Sequence, residues 1–159
     1  DTRFITAQIY NASNNQRYND QAIGTSFTYN PISSRFEGSF TLDENFESGI
    51  YNIYIKSPQS LYARLSGSVN LIKGGVNTIP IIEMITGNIN DTDLSENTID
   101  IMDYNVLMSC SIYSQDTSTC EQDPNYASYS DLNDDGRVDE DDYTLFLKEF
   151  SNQQGAVLP

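Results

Sequence analysis

The first 85 residues carry the short apolar and polar alternations that form β-strands. Segments rich in Ile, Val, Tyr, Phe and Thr are interrupted, about every 8–12 residues, by Gly, Pro, Asn and Ser. The alternation is clearest at residues 50–56, which read Ile-Tyr-Asn-Ile-Tyr-Ile-Lys. The pattern predicts seven strands, at residues 3–11, 24–29, 35–42, 49–57, 61–66, 68–72 and 77–83. Seven short strands predict an all-β antiparallel sandwich over residues 1–85.

The pattern changes from period two to a helical period after residue 86. Two segments with apolar side chains on one helical face each follow an acidic, Asn-containing loop. These side chains are Ile101, Tyr104, Val106, Leu107 and Met108 in one segment, and Tyr143, Leu145, Phe146, Leu147 and Phe150 in the other. We therefore expect a small α-helical domain at residues 86–151, followed by an extended tail at residues 152–159.

The loop before the second helix has the spacing of an EF-hand-type calcium loop. Residues 131–142 read Asp-Leu-Asn-Asp-Asp-Gly-Arg-Val-Asp-Glu-Asp-Asp. Gly136 falls at position 6, where such a loop turns sharply. The predicted ligands at positions 1, 3, 5, 7, 9 and 12 are Asp131, Asn133, Asp135, the backbone carbonyl of Arg137, Asp139 and Asp142. Ca²⁺ takes six to eight oxygen ligands, so this spacing predicts a calcium site.

A second copy of the loop lies upstream, at residues 88–103. Aligning Asp100 with Asp139 places Asp103 on Asp142 and Tyr104 on Tyr143. The predicted ligands are then Asn88, Asn90, Thr92, the backbone carbonyl of Thr98, Asp100 and Asp103. An insertion of about four residues leaves position 5 open among Thr92, Asp93 and Glu96. The chain is thus expected to bind two Ca²⁺ ions.

Two loop–helix repeats joined by a linker resemble the dockerin domain, a bacterial extracellular calcium module. The resemblance rests on Gly-Asn-Ile-Asn at residues 87–90, Thr-Ile-Asp-Ile-Met-Asp-Tyr at 98–104 and the loop at 131–142. It implies calcium binding and, as a partner, a cohesin domain. The best-known dockerins recognise cohesins through small hydroxyl residues at loop positions 10 and 11. This chain has Ile101-Met102 and Glu140-Asp141 there, which disfavours that kind of docking.

The β-rich half has a resemblance of its own. Residues 47–56, Glu-Ser-Gly-Ile-Tyr-Asn-Ile-Tyr-Ile-Lys, are followed after a hairpin by Gly-Gly-Val-Asn-Thr at 74–78. This order resembles the carboxypeptidase-regulatory-like, or transthyretin-like, sandwich. The resemblance implies a spacer or binding domain without catalytic activity.

The charge is concentrated in the predicted calcium module. The chain has a formal net charge of −15, and residues 87–159 hold 16 of its 23 acidic and 2 of its 8 basic side chains. Such acidity disfavours nucleic acid or an anionic membrane surface as a partner. No apolar run is long enough to span a bilayer.

Cys110 and Cys120 are the only cysteines, and both lie between the two loops. We expect them to form a disulfide, the alternative being two free thiols in an intracellular protein. A zinc site is disfavoured because the chain has no His and no further Cys. A disulfide and calcium loops together predict a secreted protein, outside the cell or on its surface.

No catalytic constellation is found in the sequence. Without His, the commonest general base and a Ser-His-Asp triad are both missing. Three functions stay open: a structural protein that assembles with copies of itself or other subunits, a docking protein that binds a cohesin, and a carbohydrate-binding or adhesive module. The first is favoured, and strand addition by residues 3–11 or by the tail would be one way to assemble into a filament or layer.

Overall fold

The computed structural model describes residues 2–19, 21–90, 97–151 and 155–159 of the chain. It divides into two compact units. Unit 1 comprises Asp1–Ser57, Tyr62–Glu83 and Ala156–Pro159, and unit 2 comprises Pro58–Leu61 and Met84–Gly155. The predicted boundary at residues 85–86 lies close to Met84, but the assignment of Pro58–Leu61 to unit 2 was not anticipated from the sequence.

Unit 1 is built on an antiparallel sheet of six strands. The strands are β1 (Thr2–Asn11), β2 (Ile23–Asn30), β3 (Arg35–Glu37), β4 (Gly49–Lys56), β5 (Ala63–Arg64) and β6 (Val69–Leu71). Their order is β3-β2-β1-β4-β5, and β6 pairs with β4. The strand β1 is central, since Thr2 to Ala7 pair with β2 and Thr6 to Asn11 pair with β4.

The core of unit 1 lies on one face of this sheet. It contains the alternate residues of the central strands together with side chains from the connections: Ile9, Phe46, Tyr51, Ile53, Leu65 and Leu71. Phe46 lies in its centre, with its ring centroid 5.1 Å from that of Tyr18 and 5.0 Å from that of Tyr51. Successive side chains of a strand point to opposite faces, so Tyr54 of β4 contributes instead to a separate cluster with Tyr10 and Tyr62.

The predicted strands were partly wrong. The segment at 35–42 is a strand only at Arg35–Glu37, and the segment at 77–83 forms no strand. The side chain of Asn77 explains part of this, because its amide oxygen accepts from Ile72 N at 2.9 Å and its amide nitrogen donates to Ile72 O at 3.0 Å. Asn77 thus closes a turn, and Pro80 has no N–H for a ladder. The six strands belong to one connected sheet, and the described residues form no second sheet of a sandwich.

All described helices lie in unit 2. They are α1 (Ile101–Cys110), α2 (Ser118–Gln122), α3 (Tyr126–Ser130) and α4 (Glu140–Phe150). Of the side chains predicted for the apolar faces of α1 and α4, Val106, Leu107 and Phe146 lie in the core of this unit, whereas Ile101, Met108 and Leu147 are exposed. The remaining core residues come from outside the helices: Leu61, Ile89, Ile99, Leu132 and Val138. None of the described helices has the length and apolar character that crossing a membrane requires.

The end of the chain lies on the sheet of unit 1. Ala156 and Leu158 pack against Tyr10, Tyr54 and Tyr62, and Ala156 N donates to Tyr62 O at 2.7 Å. The predicted tail began at residue 152, and residues 152–154 lie outside the described part of the chain.

Candidate metal centre

The loop at residues 131–142 is folded around its own side-chain oxygens. The two carboxylate oxygens of Asp131 accept from Asp135 N at 3.1 Å and from Gly136 N at 2.8 Å. Asn133 Oδ1 also accepts from Asp135 N, at 2.9 Å, and Asp135 Oδ1 accepts from Arg137 N at 2.9 Å. Loop positions 1, 3 and 5 therefore turn their oxygens toward the inside of the same short turn.

The backbone at two positions makes this turn possible. Gly136 has φ of +87°, a backbone conformation that residues other than glycine rarely adopt. Asp134 has φ of +60°, in the left-handed region that Asp and Asn tolerate better than most residues. The sequence assigned Gly136 to the sharp turn of the loop, and the structure confirms that role.

The carboxylate of Asp142 joins the two ends of the loop. One oxygen accepts from Leu132 N at 2.7 Å and Asn133 N at 3.2 Å, and the other accepts from Asp139 N at 2.9 Å. The side chain is completely buried, with 0% exposure. Position 12 thus fixes the beginning of the loop against the start of α4.

The upstream loop repeats these contacts at the aligned positions. One oxygen of Asp103 accepts from Ile89 N at 2.6 Å and Asn90 N at 2.8 Å, and the other accepts from Asp100 N at 2.8 Å. Asp103 is 2% exposed. The alignment of Asp103 with Asp142, made from sequence alone, therefore pairs residues that make the same three hydrogen bonds.

Both helices begin in the same way. Asp100 caps α1 and Asp139 caps α4, and in each the third helical residue, Asp103 or Asp142, accepts from the backbone N–H of the capping residue. Such reciprocal caps satisfy N–H groups that have no partner within the helix. Position 9 of each loop, predicted as a ligand, is thus also the residue that starts the helix.

The two buried carboxylates are in an environment that opposes their charge. Burial raises the pKa of Asp103 and of Asp142, while the backbone N–H groups that they accept from act in the opposite direction. A cation placed against these oxygens would favour the charged form.

The upstream loop has one neighbour that the sequence did not suggest. The Tyr126 hydroxyl donates to Asn90 Oδ1 at 2.7 Å, and burial raises the pKa of this phenol. Asn88 is buried. Of the other predicted ligands, Thr98 and Asp100 lie in the described chain, whereas Thr92, together with the alternatives Asp93 and Glu96, lies outside it.

The described residues do not bring three or more carboxylate, thiol or imidazole groups together as a ready metal site. The oxygens of Asp131 and Asp135 accept from backbone N–H groups instead, as described above. The donor set itself fits a hard cation, since every predicted ligand atom is an oxygen.

The two repeats meet through their helices. The ring centroids of Tyr104 and Tyr143, which occupy aligned positions, are 6.4 Å apart in an edge-on arrangement. Phe146 is buried between α1 and the rest of the core, with its ring 6.2 Å from Tyr104 and 5.7 Å from Phe150. The aligned tyrosines were visible in the sequence, but their contact was not.

The predicted disulfide is confirmed. Cys110, the last residue of α1, is bonded to Cys120 in α2. The link is supported by a hydrogen bond from Cys120 N to Ser109 Oγ at 2.9 Å. It fixes the end of α1 to the segment that leads to the second loop.

Removing this link should destabilise the protein moderately. We expect the double variant Cys110→Ser, Cys120→Ser to lose about 2.5–3 kcal/mol of unfolding free energy, because the bond closes a short loop in the unfolded chain. Urea denaturation of the variant and of the oxidised parent would measure this. An unchanged denaturation midpoint would contradict the expectation.

Comparisons of this chain with known protein families, with curated proteins and with solved structures gave no match.

Proposed function

We propose that this chain is a calcium-stabilised, non-catalytic structural protein that functions outside the cell and associates with other protein subunits. In this proposal unit 2 is a dockerin-like module that binds Ca²⁺ at residues 131–142 and at residues 88–103. The observation that carries it is the matched pair Asp103 and Asp142, two buried carboxylates that make equivalent hydrogen bonds in two aligned loops.

The residues of the downstream loop suit calcium by chemistry and by geometry. Asp131, Asn133 and Asp135 offer oxygens within one turn. Apart from its chain neighbours, Gly136 has no heavy atom within 4 Å of the point where a Cβ would stand, so the space beside the turn is open. Bound Ca²⁺ would supply positive charge to the most acidic part of the chain. Asp142 would then orient the loop and the helix around the ion.

Calcium would act on stability rather than on a reaction. The unfolded chain lacks the loop geometry, so an ion that binds only the folded form stabilises that form by mass action. The absence of His from the sequence and the use of Asp139 and Asp142 as helix caps also support a role without catalysis.

Several features support association with other subunits. The short strand β3 pairs with β2 only from Thr28 to Asn30, which leaves most of that edge of the sheet uncovered by the described strands. Strand edges of this kind pair with additional strands. Strand β1, which the sequence suggested as a donor, pairs with β2 over Thr2–Ala7 and with β4 over Thr6–Asn11, so donating it would disrupt its own sheet.

Docking to a cohesin-like domain is a second candidate. Ile101 and Met102, at loop positions 10 and 11, are 62% and 52% exposed. Their counterparts Glu140 and Asp141 are also exposed but are charged. An apolar pair in one repeat alone would bind an apolar partner surface in a single orientation. A pull-down with a panel of cohesin domains, with Ile101→Ser/Met102→Ser as control, tests this.

No specific contact favours the carbohydrate-binding alternative. The tyrosines of β4 that it would use, Tyr51 and Tyr54, are buried. Neither ring is therefore available to stack on a sugar ring.

A calcium titration with two matched variants tests the proposal. We expect Asp135→Asn, at loop position 5, to weaken calcium binding at the downstream loop at least tenfold, because it removes a charged ligand. Asp141→Asn makes the same change of charge at an exposed position that is not a predicted ligand, and should leave affinity within about twofold. Isothermal titration of the chelator-treated protein measures both. Equal loss in the two variants, or no calcium binding by the parent, would refute the assigned site.

A further inference from the structure

One face of the sheet in unit 1 carries a cluster of three tyrosines. Tyr10, Tyr54 and Tyr62 are all buried, and the rings of Tyr10 and Tyr54 meet edge-on with centroids 5.6 Å apart. Gln8 links the phenols of Tyr10 and Tyr62: its amide nitrogen donates to Tyr62 Oη and its amide oxygen accepts from Tyr10 Oη, both at 2.7 Å. These hydrogen bonds fix the rings, so the tyrosine cluster is a rigid, largely apolar surface.

The chain's own terminal segment, Ala156–Pro159, lies on the tyrosine cluster. Ala156 and Leu158 pack against the rings, whereas Val157 between them is 87% exposed. Ala156 N donates to the backbone oxygen of Tyr62 at 2.7 Å. Alternation of inward and outward side chains is the binding mode of an extended peptide.

We propose that the tyrosine cluster is the receptor surface through which two copies of this chain associate, and that its occupant in the assembly is the segment Ala156–Pro159 of a second copy. This inference rests on the proposed association between subunits, takes the partner to be a second copy, and names the residues that mediate the contact. The donor and the receptor are both present on every copy, so one contact leaves a free donor and a free receptor for the next copy.

The nature of the contact favours such an exchange. The segment belongs to no strand or helix, and its contacts with the cluster include two apolar side chains and the hydrogen bond from Ala156 N to Tyr62 O. A second copy would reproduce all of them, because it has the same sequence. Exchange of an identical element between protomers needs no new complementary surface.

Two single substitutions in the full chain separate the inward from the outward residue. Leu158→Asp places a carboxylate against the tyrosine cluster, and we expect it to raise the protein concentration needed for assembly at least tenfold. Val157→Asp makes the same chemical change on the exposed side and should leave that concentration within about twofold of the parent. Sedimentation velocity and electron microscopy over a concentration series, with 5 mM calcium chloride present, measure both. Circular dichroism confirms that each variant is folded.

The outcomes distinguish this inference from the proposed function. If the parent assembles and Leu158→Asp assembles equally well, the tyrosine cluster is not the receptor, while self-association stands. If the parent stays monomeric at all concentrations, the inference and self-association are both wrong, whereas the calcium titration decides the proposed function separately. Loss of assembly in Leu158→Asp alone supports the inference.

Isotope labelling tests whether the bound segment comes from another copy. A photo-crosslinking leucine analogue is placed at position 158, whose side chain packs on the cluster, in ¹⁵N-labelled protein, which is mixed with an equal amount of unlabelled protein before assembly. We expect about half of the crosslinks from position 158 to peptides containing Tyr10, Tyr54 or Tyr62 to join a labelled to an unlabelled peptide. Crosslinks confined to labelled pairs would show that the segment binds only its own chain, and would overturn the inference.

Discussion

Asp142→Ala is expected to lower the free energy of unfolding by about 3 kcal/mol even in calcium-free buffer. The substitution removes the acceptor for Leu132 N, Asn133 N and Asp139 N in a place with no exposure to water. A buried donor left without a partner costs about 1–3 kcal/mol. Three lost hydrogen bonds could cost more than this, but the substitution also removes a carboxylate whose charge is opposed by burial, as its raised pKa indicates. We therefore expect a net loss of about 3 kcal/mol.

Asp141→Ala is the matched control for this variant. Asp141 precedes Asp142 in α4, is exposed, and should change stability by no more than about 0.5 kcal/mol when truncated. Urea denaturation monitored by far-ultraviolet circular dichroism, in the presence of chelator, gives both values. Equal effects of the two substitutions would show that Asp142 does not link the loop to the helix.

Withdrawal of calcium should produce the other large effect. At a free Ca²⁺ concentration about 100 times the dissociation constant, each occupied site contributes about 2.7 kcal/mol, so two sites contribute about 5 kcal/mol. For a chain of this length we expect excess chelator to lower the melting temperature by roughly 10–20 °C. Differential scanning calorimetry with calcium and with chelator measures the shift.

Two controls make this result specific. Magnesium at the same concentration should replace calcium poorly, because it demands a tighter octahedral shell and gives up water reluctantly. Asp131→Asn, at loop position 1, should reduce the shift by about half if the two loops bind independently. A melting curve that does not respond to chelator would refute the calcium proposal as a whole.

Much of the local structure could be predicted because short-range rules govern it. Composition and alternation located β1 and β4, and apolar spacing located the segments that form α1 and α4. The repeat could be aligned because both copies use the same capping geometry, in which Asp100 and Asp139 start the helices. Cys110 and Cys120 paired as expected.

The failures came where particular side-chain contacts override strand-like composition. Residues 77–83 have strand-like composition, but the side chain of Asn77 returns to Ile72 and closes a turn. The five residues after β3 include Phe40, whose ring packs on Phe27 at 5.4 Å, and Gly38, whose position leaves no room for a Cβ beside the Phe27 ring. These side-chain contacts take the place of further β-ladder hydrogen bonds between β2 and β3, and no local sequence pattern predicts them.

The sequence by itself determined the order of the two loop–helix repeats, because the capping Asp, the Asp three residues later and the Tyr that follows it occur at the same spacing in both copies. Only the tertiary structure decided which groups meet across long separations. It placed Tyr126 on Asn90, Tyr104 against Tyr143, and Leu158 on the tyrosine cluster. Such contacts depend on how whole elements pack, and packing is set by the summed burial of many side chains rather than by any one local pattern.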